Sequence, residues 1–369
     1  MTDATHHGPD AVALWNQWCE TLRAGGEALL GHDGLSADSA EQLDGVRYLT
    51  RLVRAGLMAF VENEGPRFPV IRAMPELVKM GLDNPDNVYM SATVDPRFTY
   101  RISGTRGTAH YLGFAAQSQN FAKNPELAGG AGHLHDRDLQ LGPNGELDVI
   151  ASVTPHDGNW LALAPDTSMV LVRQSFLDQT TEKPAQLAIE CLEPSGPPRG
   201  LDNTRLAGRL QGSALYALGA AQRFADWVTP WFDHPNEFFL PTPEEHRRIG
   251  GDPNIVCVLG AWELADDEAL EITLEPPECD YWNIQLGNIW AESLDYRWRH
   301  VTYNSHTAPP AAEKSAASPS PGTYVVRIAS APTQGSLWLD RSGLRRGTML
   351  IRWVRAERHP VPSCRIVPM

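Results

Sequence analysis

The sequence predicts an α+β protein in which antiparallel, jelly-roll-like β-sandwich sheets are combined with an N-terminal helical segment and a central helical insertion. Short β-rich runs separated by turn residues fill most of the chain after residue 88. A parallel α/β fold would need a helix after nearly every strand, whereas helical periodicity here is confined to two stretches. We therefore divide the chain into a helical segment (1–87), a first β-rich unit (88–200), a helical insertion (201–250) and a C-terminal β-sandwich domain (251–369).

The first helical stretch runs from about residue 10 to 80. Its apolar residues recur at spacings of three and four, which predicts one apolar stripe. The members of the stripe are Val46, Leu49, Val53, Leu57 and Phe60. The sequence GLDNPDNVY at 81–89 then breaks the pattern, because proline fixes φ and Asn and Asp bond to their own backbone.

The first β-rich unit contains the runs VYMSATV, FTYRISG, TAHYLGF, MVLVRQSFL and AQLAIECL. Between them, RDLQLGPNGELDVIASV predicts a hairpin with an Asn-Gly turn. A second helix is predicted over 204–229, where it ends because Pro230 cannot continue it. Strands return after GGDPN at 250–254, and we detect no internal repeat.

Composition excludes several classes of partner. The 369 residues include 45 acidic and 31 basic side chains, a net charge of −14 without a basic stripe. Such a surface is unsuited to phosphate backbones or anionic lipid, so neither nucleic acid nor membrane is expected as a partner. The start MTDATHHGPDAVALW lacks the pattern of a secretory signal, which favours a cytoplasmic location. Five scattered cysteines without a CxxC pair indicate neither a disulfide framework nor a zinc cluster.

The common cofactor motifs are missing from the sequence. There is no GxxxxGK[ST] loop, no strand-linked GxGxxG, no GxSxG elbow and no HExxH helix. We therefore expect no nucleotide or redox cofactor.

Two places could hold a metal ion. His133 and His135 are two residues apart, so on a strand they would point to the same side, with a third ligand from His156 or Asp157. We favour a solvated loop here and predict no metal. The acids of DNPDN at 83–87 resemble magnesium-binding pairs, but the proline between them makes a turn the better interpretation.

The stretch ECDYWNIQLG at 278–287 alternates cleanly as a strand. Trp282 lies on one face with Ile284 and Leu286, and this face is predicted to be buried. Tyr281, Asn283 and Gln285 lie on the other face. A neutral hydrogen-bonding row of this kind suits either the wall of a ligand pocket or a sheet face covered by loops.

The following run NIWAESLDYRWRH is compatible with a strand or a short helix. Asp295 lies near an arginine in either case, Arg297 on a strand or Arg299 on a helix, which favours an ion pair or a substrate-orienting group. Glu292 has no obvious partner nearby in sequence and is the better candidate for proton transfer after burial raises its pKa. Trp290 is expected to shape the pocket.

Three further side chains are candidates from their surroundings. His306 in NSHTA and His110 in TAHYLGF lie in β-rich segments, where a histidine can act at neutral pH or serve the framework. Arg106 in SGTRGT could present its guanidinium to a ligand oxygen or bond turn carbonyls. Eleven tryptophans supply both core and a surface for flat or greasy ligands.

The motifs GTRGTAHYLGF, GDPN, ECDYWNIQLGNIWAESLDYR, NSHTA and GTMLIRWVRA together resemble the bacterial family known as domain of unknown function 1214. The resemblance covers about 255–355, and the earlier part is similar to longer, actinobacterial-type members. It implies a jelly-roll-like sandwich, often with a second β-rich unit. No activity is assigned to that family, so the resemblance implies no catalytic residues.

The function we infer from the sequence is an enzyme acting on a small hydrophobic or aromatic molecule by acid-base or electrostatic catalysis without a cofactor. A lyase, isomerase or cyclase is favoured over a redox enzyme. The alternatives are a non-catalytic sandwich that binds carbohydrate or another small ligand, and a structural subunit. A small-molecule ligand is the expected partner, and homo-oligomerisation stays open.

Overall fold

The computed structural model describes residues 10–31, 39–118, 121, 132–193, 196–309 and 322–369. These residues form helices and two β-sandwiches in one α+β fold, so the predicted fold class is confirmed. None of the helices among them is long and apolar enough to cross a membrane. The proposed division into four segments stays a prediction.

Four α-helices are described: Ala11–Leu30 (α1), Ser39–Gly56 (α2), Asn203–Val228 (α3) and Pro243–Arg248 (α4). A π-helical turn, Leu57–Val61, extends α2, and a 3₁₀ turn, Thr229–Asp233, follows α3. The predicted central helix is confirmed. The first helical stretch is predicted too long, because no helix is found between 62 and 80.

The buried face of α2 differs from the predicted stripe. Tyr48 and Leu52 are its fully buried large residues, while Val46 is 47% exposed. Leu49 and Val53 pack only partly against the core. The stripe is displaced because α2 packs on α3, and the close approach of Gly56 to a backbone carbonyl of α3 sets its rotation.

Nine strands of the first sandwich lie in the described residues. They are Arg72–Ala73 (β1), Asn87–Thr93 (β2), Tyr100–Thr105 (β3), Tyr111–Gln117 (β4), His133–His135 (β5), Glu146–Ser152 (β6), Trp160–Ala162 (β7), Met169–Ser175 (β8) and Gln186–Cys191 (β9). One sheet has the order β1-β2-β8-β4-β5 and the other β7-β6-β3-β9. The pairs are antiparallel except β6 with β7. The predicted hairpin is wrong, because RDLQL is not a strand and only its second half forms β6.

Outside the undescribed segment 310–321, the second sandwich also shows nine strands. They are Glu237–Phe239 (β10), Ile255–Glu263 (β11), Glu268–Leu274 (β12), Tyr281–Gly287 (β13), Thr302–Asn304 (β14), Tyr324–Ala329 (β15), Leu337–Asp340 (β16), Arg346–Val354 (β17) and Ser363–Pro368 (β18). The sheet orders are β10-β11-β17-β13-β14 and β16-β15-β12-β18. Here β15 with β16 is the parallel pair.

The two sandwiches repeat one topology. Adding nine to each strand number of the first sandwich gives both sheet orders of the second, and the single parallel pair falls at the same place. The expectation of no internal repeat is therefore wrong at the level of structure. Corresponding rungs of the ladders align Tyr111 with Tyr281, and Arg173 with Arg352.

Each sandwich has its own apolar core between its two sheets. A third core lies where the helices cover the second sandwich. The outer faces of the two five-stranded sheets meet each other, with Tyr111, Ile255, Tyr281 and Val354 in contact. Functional side chains on those outer faces are thereby enclosed between the sandwiches and the helices.

Candidate functional site

A cavity of about 570 Å³ lies between the helices and the five-stranded sheets. Its walls come from the π-helical turn, α3, the outer faces of β2 and β8, and the end of β17. Most of the lining is apolar, including Met58, Leu171, Tyr216, Phe224 and Trp227. A cavity of this size and composition suits a small organic ligand.

One group of polar residues in the lining of the cavity is held together by hydrogen bonds. We call it the polar end and define it by Arg173, His246, Gly250, Gly251 and Asp252. The last four come from α4 and the turn that follows it, whereas the arginine comes from β8. The turn leads into β11 of the second sandwich, and β8 belongs to the first sandwich. The two segments therefore meet where the two sandwiches face each other.

Arg173 is half-buried at this end. Its Nη2 donates to the carbonyl oxygen of Gly250 at 2.6 Å, and Gln117 donates to the same oxygen at 3.0 Å. Nη1 of Arg173 is buried without a hydrogen-bond partner among the described residues. This part of the guanidinium therefore has N–H donors that could bind a ligand.

His246 is fixed by the turn that follows α4. Its Nε2 lies 3.1 Å from the backbone oxygen of Asp252. A Cβ added at Gly251 would lie 2.3 Å from the same ring nitrogen, so only glycine leaves room for the ring. Burial lowers the pKa of His246, which makes the neutral imidazole its state at neutral pH. Its Nδ1 is buried and has no partner in the described part of the chain.

A second group of polar residues adjoins the polar end on the outer face of the first sandwich. We call it the histidine site and define it by Gly113, His133, His135, Arg173 and Asp252. In the rungs of the sheet, Gly113 stands between Arg173 on β8 and His135 on β5. Asp252 lies over that glycine, where an added Cβ would be 3.1 Å from its Oδ2.

Burial and charge set the ionisation of this site. Burial opposes the ionisation of Asp252, but nearby His135 and Arg173 outweigh it and hold the pKa of the carboxyl below its usual value. Burial also lowers the pKa of His133. The site therefore combines an ionised carboxylate with a neutral imidazole.

The histidine pair was predicted to lie in a solvated loop, and this is wrong. His133 and His135 are the ends of strand β5, and His135 is only 9% exposed. The suggested third ligand His156 is exposed and bonds to the backbone oxygen of its neighbour Asp157. Asp252 takes that place instead, with a carboxylate oxygen 3.3 Å from His135 Nε2.

The equivalent position of the second sandwich carries different side chains. We call it the amide site and define it by Asn84, Asn283, Gln285, Asn304 and Arg352. Asn283 donates to Asn84 Oδ1 at 3.0 Å, and Gln285 donates to the backbone oxygen of Asp83 at 2.9 Å. Arg352 donates to Gln285 and to the backbone oxygen of Leu82. These bonds join the second sandwich to the turn before β2.

The predicted binding row Tyr281, Asn283 and Gln285 thus lies in the amide site. The expectation that β13 has one buried side is wrong, because all seven of its residues are buried. Tyr281 donates to Asp86 at 2.6 Å, and Trp282 lies in the core of the second sandwich. The row faces the other sandwich, and its side chains are not part of the cavity lining.

Glu292 is buried, as its predicted role requires, but the expectation that it lacks a partner is wrong. Arg51 of α2 donates to its Oε1 at 2.5 Å, and Asn288 donates to its Oε2 at 2.9 Å. Burial raises the pKa of Glu292, although the Arg51 charge opposes the shift. Trp290 beside it is fully buried and donates to the backbone oxygen of Glu41.

The remaining predicted residues lie apart from the cavity. Asp295 pairs with Arg297 at 2.7 Å on a partly exposed turn, in a segment that forms neither the suggested strand nor the helix. His306 is exposed. Arg106 bonds the backbone oxygen of Ala109 and pairs with Asp136, and His110 Nε2 lies 2.9 Å from the backbone oxygen of Asp280. The catalytic and binding roles assigned to these residues stay predictions.

Most of the tryptophans lie in the apolar cores and not on an exposed surface. Trp262, Trp290 and Trp353 are fully buried, while Trp298 is exposed. Trp227 is the tryptophan that lines the cavity. A carbohydrate binder is expected to have several tryptophan faces along an open groove, and the described residues do not form one there.

Sequence reasoning missed Arg173, His246 and Asp252. A signal for Arg173 and Asp252 exists in two short similarities between the halves of the chain, whereas these similarities do not include His246. VLVR at 170–173 corresponds to MLIR at 349–352, and NPDN at 84–87 corresponds to DPNI at 252–255. Aligning them would have placed the two arginines and the residues Asn84 and Asp252 at matching positions.

Comparison with known proteins shows a solved structure that is similar over nearly the whole chain. No family model matches the chain, and no curated protein matches it. An uncharacterized protein from Burkholderia cenocepacia, known from its crystal structure, is 38% identical with a TM-score of 0.89, over 96% of this chain and 97% of that one. The chain belongs to the family of that protein. Its members share the double sandwich with its helices.

Two further solved structures are much less similar to this chain. A Vibrio parahaemolyticus protein is 9% identical with a TM-score of 0.44, over 94% of this chain and 100% of its own. Oxalate decarboxylase of Bacillus subtilis is 8% identical with a TM-score of 0.19, over 83% of this chain and 76% of its own. The resemblance to domain of unknown function 1214 stays a prediction.

Proposed function

We propose that the protein is an enzyme acting on a small, mainly apolar organic molecule that carries a carboxylate or a similar anionic group. The observation that carries this proposal is the cavity of about 570 Å³, whose lining is mainly apolar and includes the polar end with its arginine, histidine and aspartate. An apolar pocket with a few converging polar groups is the usual form of a small-molecule site.

Arg173 supports an anionic group on the ligand. Among the described residues it has one hydrogen bond, to the Gly250 oxygen, which also accepts from Gln117. A guanidinium has five N–H donors, so several are left for a carboxylate, which it binds in a planar, two-bond arrangement. The apolar wall on the other side would hold the rest of the molecule.

His246 supports proton transfer. Since a backbone oxygen only accepts, the contact to Asp252 assigns the proton to Nε2 and leaves the lone pair on Nδ1. The lowered pKa keeps this imidazole neutral, which is the form that a general base needs. Catalysis of this kind serves lyases, isomerases and cyclases, the classes that the sequence favours.

Binding is tested by thermal shift with a panel of aliphatic and aromatic carboxylic acids and their methyl esters. We expect acids to raise the melting temperature of the wild type more than their esters do, and Arg173→Met to abolish this difference. Arg101→Met, which removes an exposed arginine of the same sandwich, is the matched control and should behave as wild type. Equal shifts by acids and esters would contradict the anionic ligand.

Catalysis is tested with the acids that bind. Their conversion is followed by proton NMR in the wild type and in His246→Gln, with binding measured in parallel. We expect the variant to lose at least about 100-fold in rate while it still binds the acid, which is the lower end of the effect usual for a general base. Binding without any conversion by the wild type would instead support the alternative of a binding protein.

A further inference from the structure

We propose that His133, His135 and Asp252 bind a divalent transition-metal ion. This goes beyond the proposed function and does not depend on it, because metal binding can be measured without a substrate. It also replaces the expectation from the sequence that the protein binds no metal. Asp252 belongs both to this set and to the cavity wall, so the ion would stand beside the polar end.

The distances among the three side chains suit a common cation. One ring nitrogen of each histidine and one carboxylate oxygen of Asp252 all lie within 4.8 Å of one another. His135 Nε2 and Asp252 Oδ1 are 3.3 Å apart. Ligand atoms of a tetrahedral zinc site are separated by roughly 3.4 Å, given bond lengths of about 2.0–2.2 Å.

The backbone and neighbouring side chains hold the ligands in place. The histidines point to the same side of β5 because they are two residues apart on a strand. Tyr111 donates to Asp252 Oδ1 at 2.9 Å, and the backbone nitrogen of Asn254 donates to the same oxygen at 3.0 Å. Partners of this kind orient a ligating carboxylate. Gly113 leaves the space over the strand that the carboxylate occupies.

Unpaired nitrogen atoms supply the independent observation. Nδ1 of His133 and Nε2 of His135 are buried and have no hydrogen-bond partner among the described residues. The contact of His135 with Asp252 is close but is not aligned as a hydrogen bond. Buried polar groups are nearly always paired, so an unpaired nitrogen on each of two neighbouring imidazoles beside one carboxylate indicates a missing partner such as a metal ion.

The donor set selects the class of metal. Two imidazoles and one carboxylate suit zinc, iron(II), cobalt or manganese, whereas calcium and magnesium prefer oxygen ligands throughout. The nearby Arg173 charge opposes a cation, and the ionised Asp252 offsets it. Three protein ligands leave at least one coordination position for water or for an anionic ligand from the cavity.

The experiment uses the full chain, freed of metal with a chelator and dialysed against Zn²⁺ or Co²⁺ alone. We expect one ion bound per chain by elemental analysis, and a visible Co²⁺ spectrum typical of nitrogen ligation. His133→Gln and His135→Asn should each weaken binding in calorimetry on the order of 100-fold. His135→Asn installs the side chain type of Asn304, its equivalent in the second sandwich.

His156→Gln is the control, because this histidine is exposed and outside the set, and it should bind as wild type. No uptake by the wild type, or full uptake by both folded variants, would overturn the proposal. Circular dichroism shows whether the variants fold. If they do not, X-ray absorption of Co²⁺ in the wild type decides: two imidazole ligands support the site, and oxygen ligands alone overturn it.

Discussion

The histidine site and the amide site occupy the same place in two copies of one sandwich. Each contains an arginine from the same rung, Arg173 or Arg352, and each receives a side chain from the turn before the second strand of the other sandwich. Tyr111 donates to Asp252, and its counterpart Tyr281 donates to Asp86 on the opposite turn. The two sandwiches are thus joined by reciprocal contacts.

The sites differ in how completely their polar groups are paired. In the described part of the chain, the amide site has no buried side-chain nitrogen or oxygen without a partner. The histidine site has three such atoms, on His133, His135 and Arg173. A fully paired network stabilises a fold and specifies it, whereas unpaired buried groups cost stability and mark a site with another purpose. We infer that the amide site serves the contact between the two sandwiches, and that the histidine site serves ligand or metal binding.

The two arginines offer the sharpest test of this difference, with the largest expected effect. Arg352→Met removes the donor to Gln285 and to the Leu82 oxygen and leaves both acceptors buried. We expect it to lower the free energy of unfolding by about 3 kcal/mol. Arg173→Met should cost about 1 kcal/mol or less, because Gln117 still donates to the Gly250 oxygen.

Urea unfolding followed by circular dichroism measures both free energies. Arg101→Met, at an exposed ion pair, provides the baseline for losing a surface arginine. Equal losses for Arg173→Met and Arg352→Met would break the comparison, since the two sites would then contribute alike to the fold.

The sequence predicted the parts of this fold that depend on local periodicity. The central helix ends close to Pro230, and β13 alternates as expected, because side-chain period and proline geometry act within a few residues. The repeat was missed since the two halves of the chain share only short similarities in sequence, such as the arginine common to VLVR and MLIR.

The candidate site was harder to predict because its members come from three distant segments. His135 lies on a three-residue strand, too short for a periodic signal, and Asp252 reaches it from a turn more than a hundred residues later. The sequence instead drew attention to Tyr281 and Glu292, whose partners Asp86 and Arg51 are equally remote. Burial on both sides of β13 follows from packing between sandwiches, which no local pattern encodes.

The next largest effect concerns Asp86, which accepts a hydrogen bond from Tyr281 beside the amide site, and the pH dependence of stability that it causes. Burial raises the pKa of Asp86 above its ordinary value of 3.8, although the bond from Tyr281 opposes the shift. Between the two pKa values the folded protein binds more protons than the unfolded chain, so the contribution of this group to stability is largest below this window and falls as pH rises through it. Asp86→Asn should remove that fall and match the Asn254 already present at the equivalent position.

Urea unfolding from about pH 4 to pH 7 measures this slope. Asp157→Asn, at an exposed turn, should follow the wild-type profile. If Asp86→Asn steepened the fall, the carboxylate would be stabilising the contact between the sandwiches in its ionised form, contrary to the pairing described here.

The smallest effect tests a backbone conformation that occurs at equivalent positions beside the two sites. Leu82 and Gly250 are equivalent, and both have positive φ, 54° and 74°. Their carbonyl oxygens accept from Arg352 and Arg173 respectively. Because leucine adopts the left-handed form at one site, we infer that the frame of the sandwich imposes this conformation and that glycine only lowers its cost. Gly250→Ala should then destabilise by about 1 kcal/mol without preventing folding.

Thermal and urea unfolding of Gly250→Ala measure this cost, and Gly208→Ala is the matched control. Gly208 is exposed within α3 with no atom near its added Cβ, so alanine there should stabilise by about 1 kcal/mol. A neutral Gly250→Ala would mean that the turn relaxes away from the left-handed form when its glycine is replaced. A loss of several kcal/mol would mean that the polar end of the cavity has no room for a methyl group, and the equivalence with Leu82 would then hold for the backbone alone.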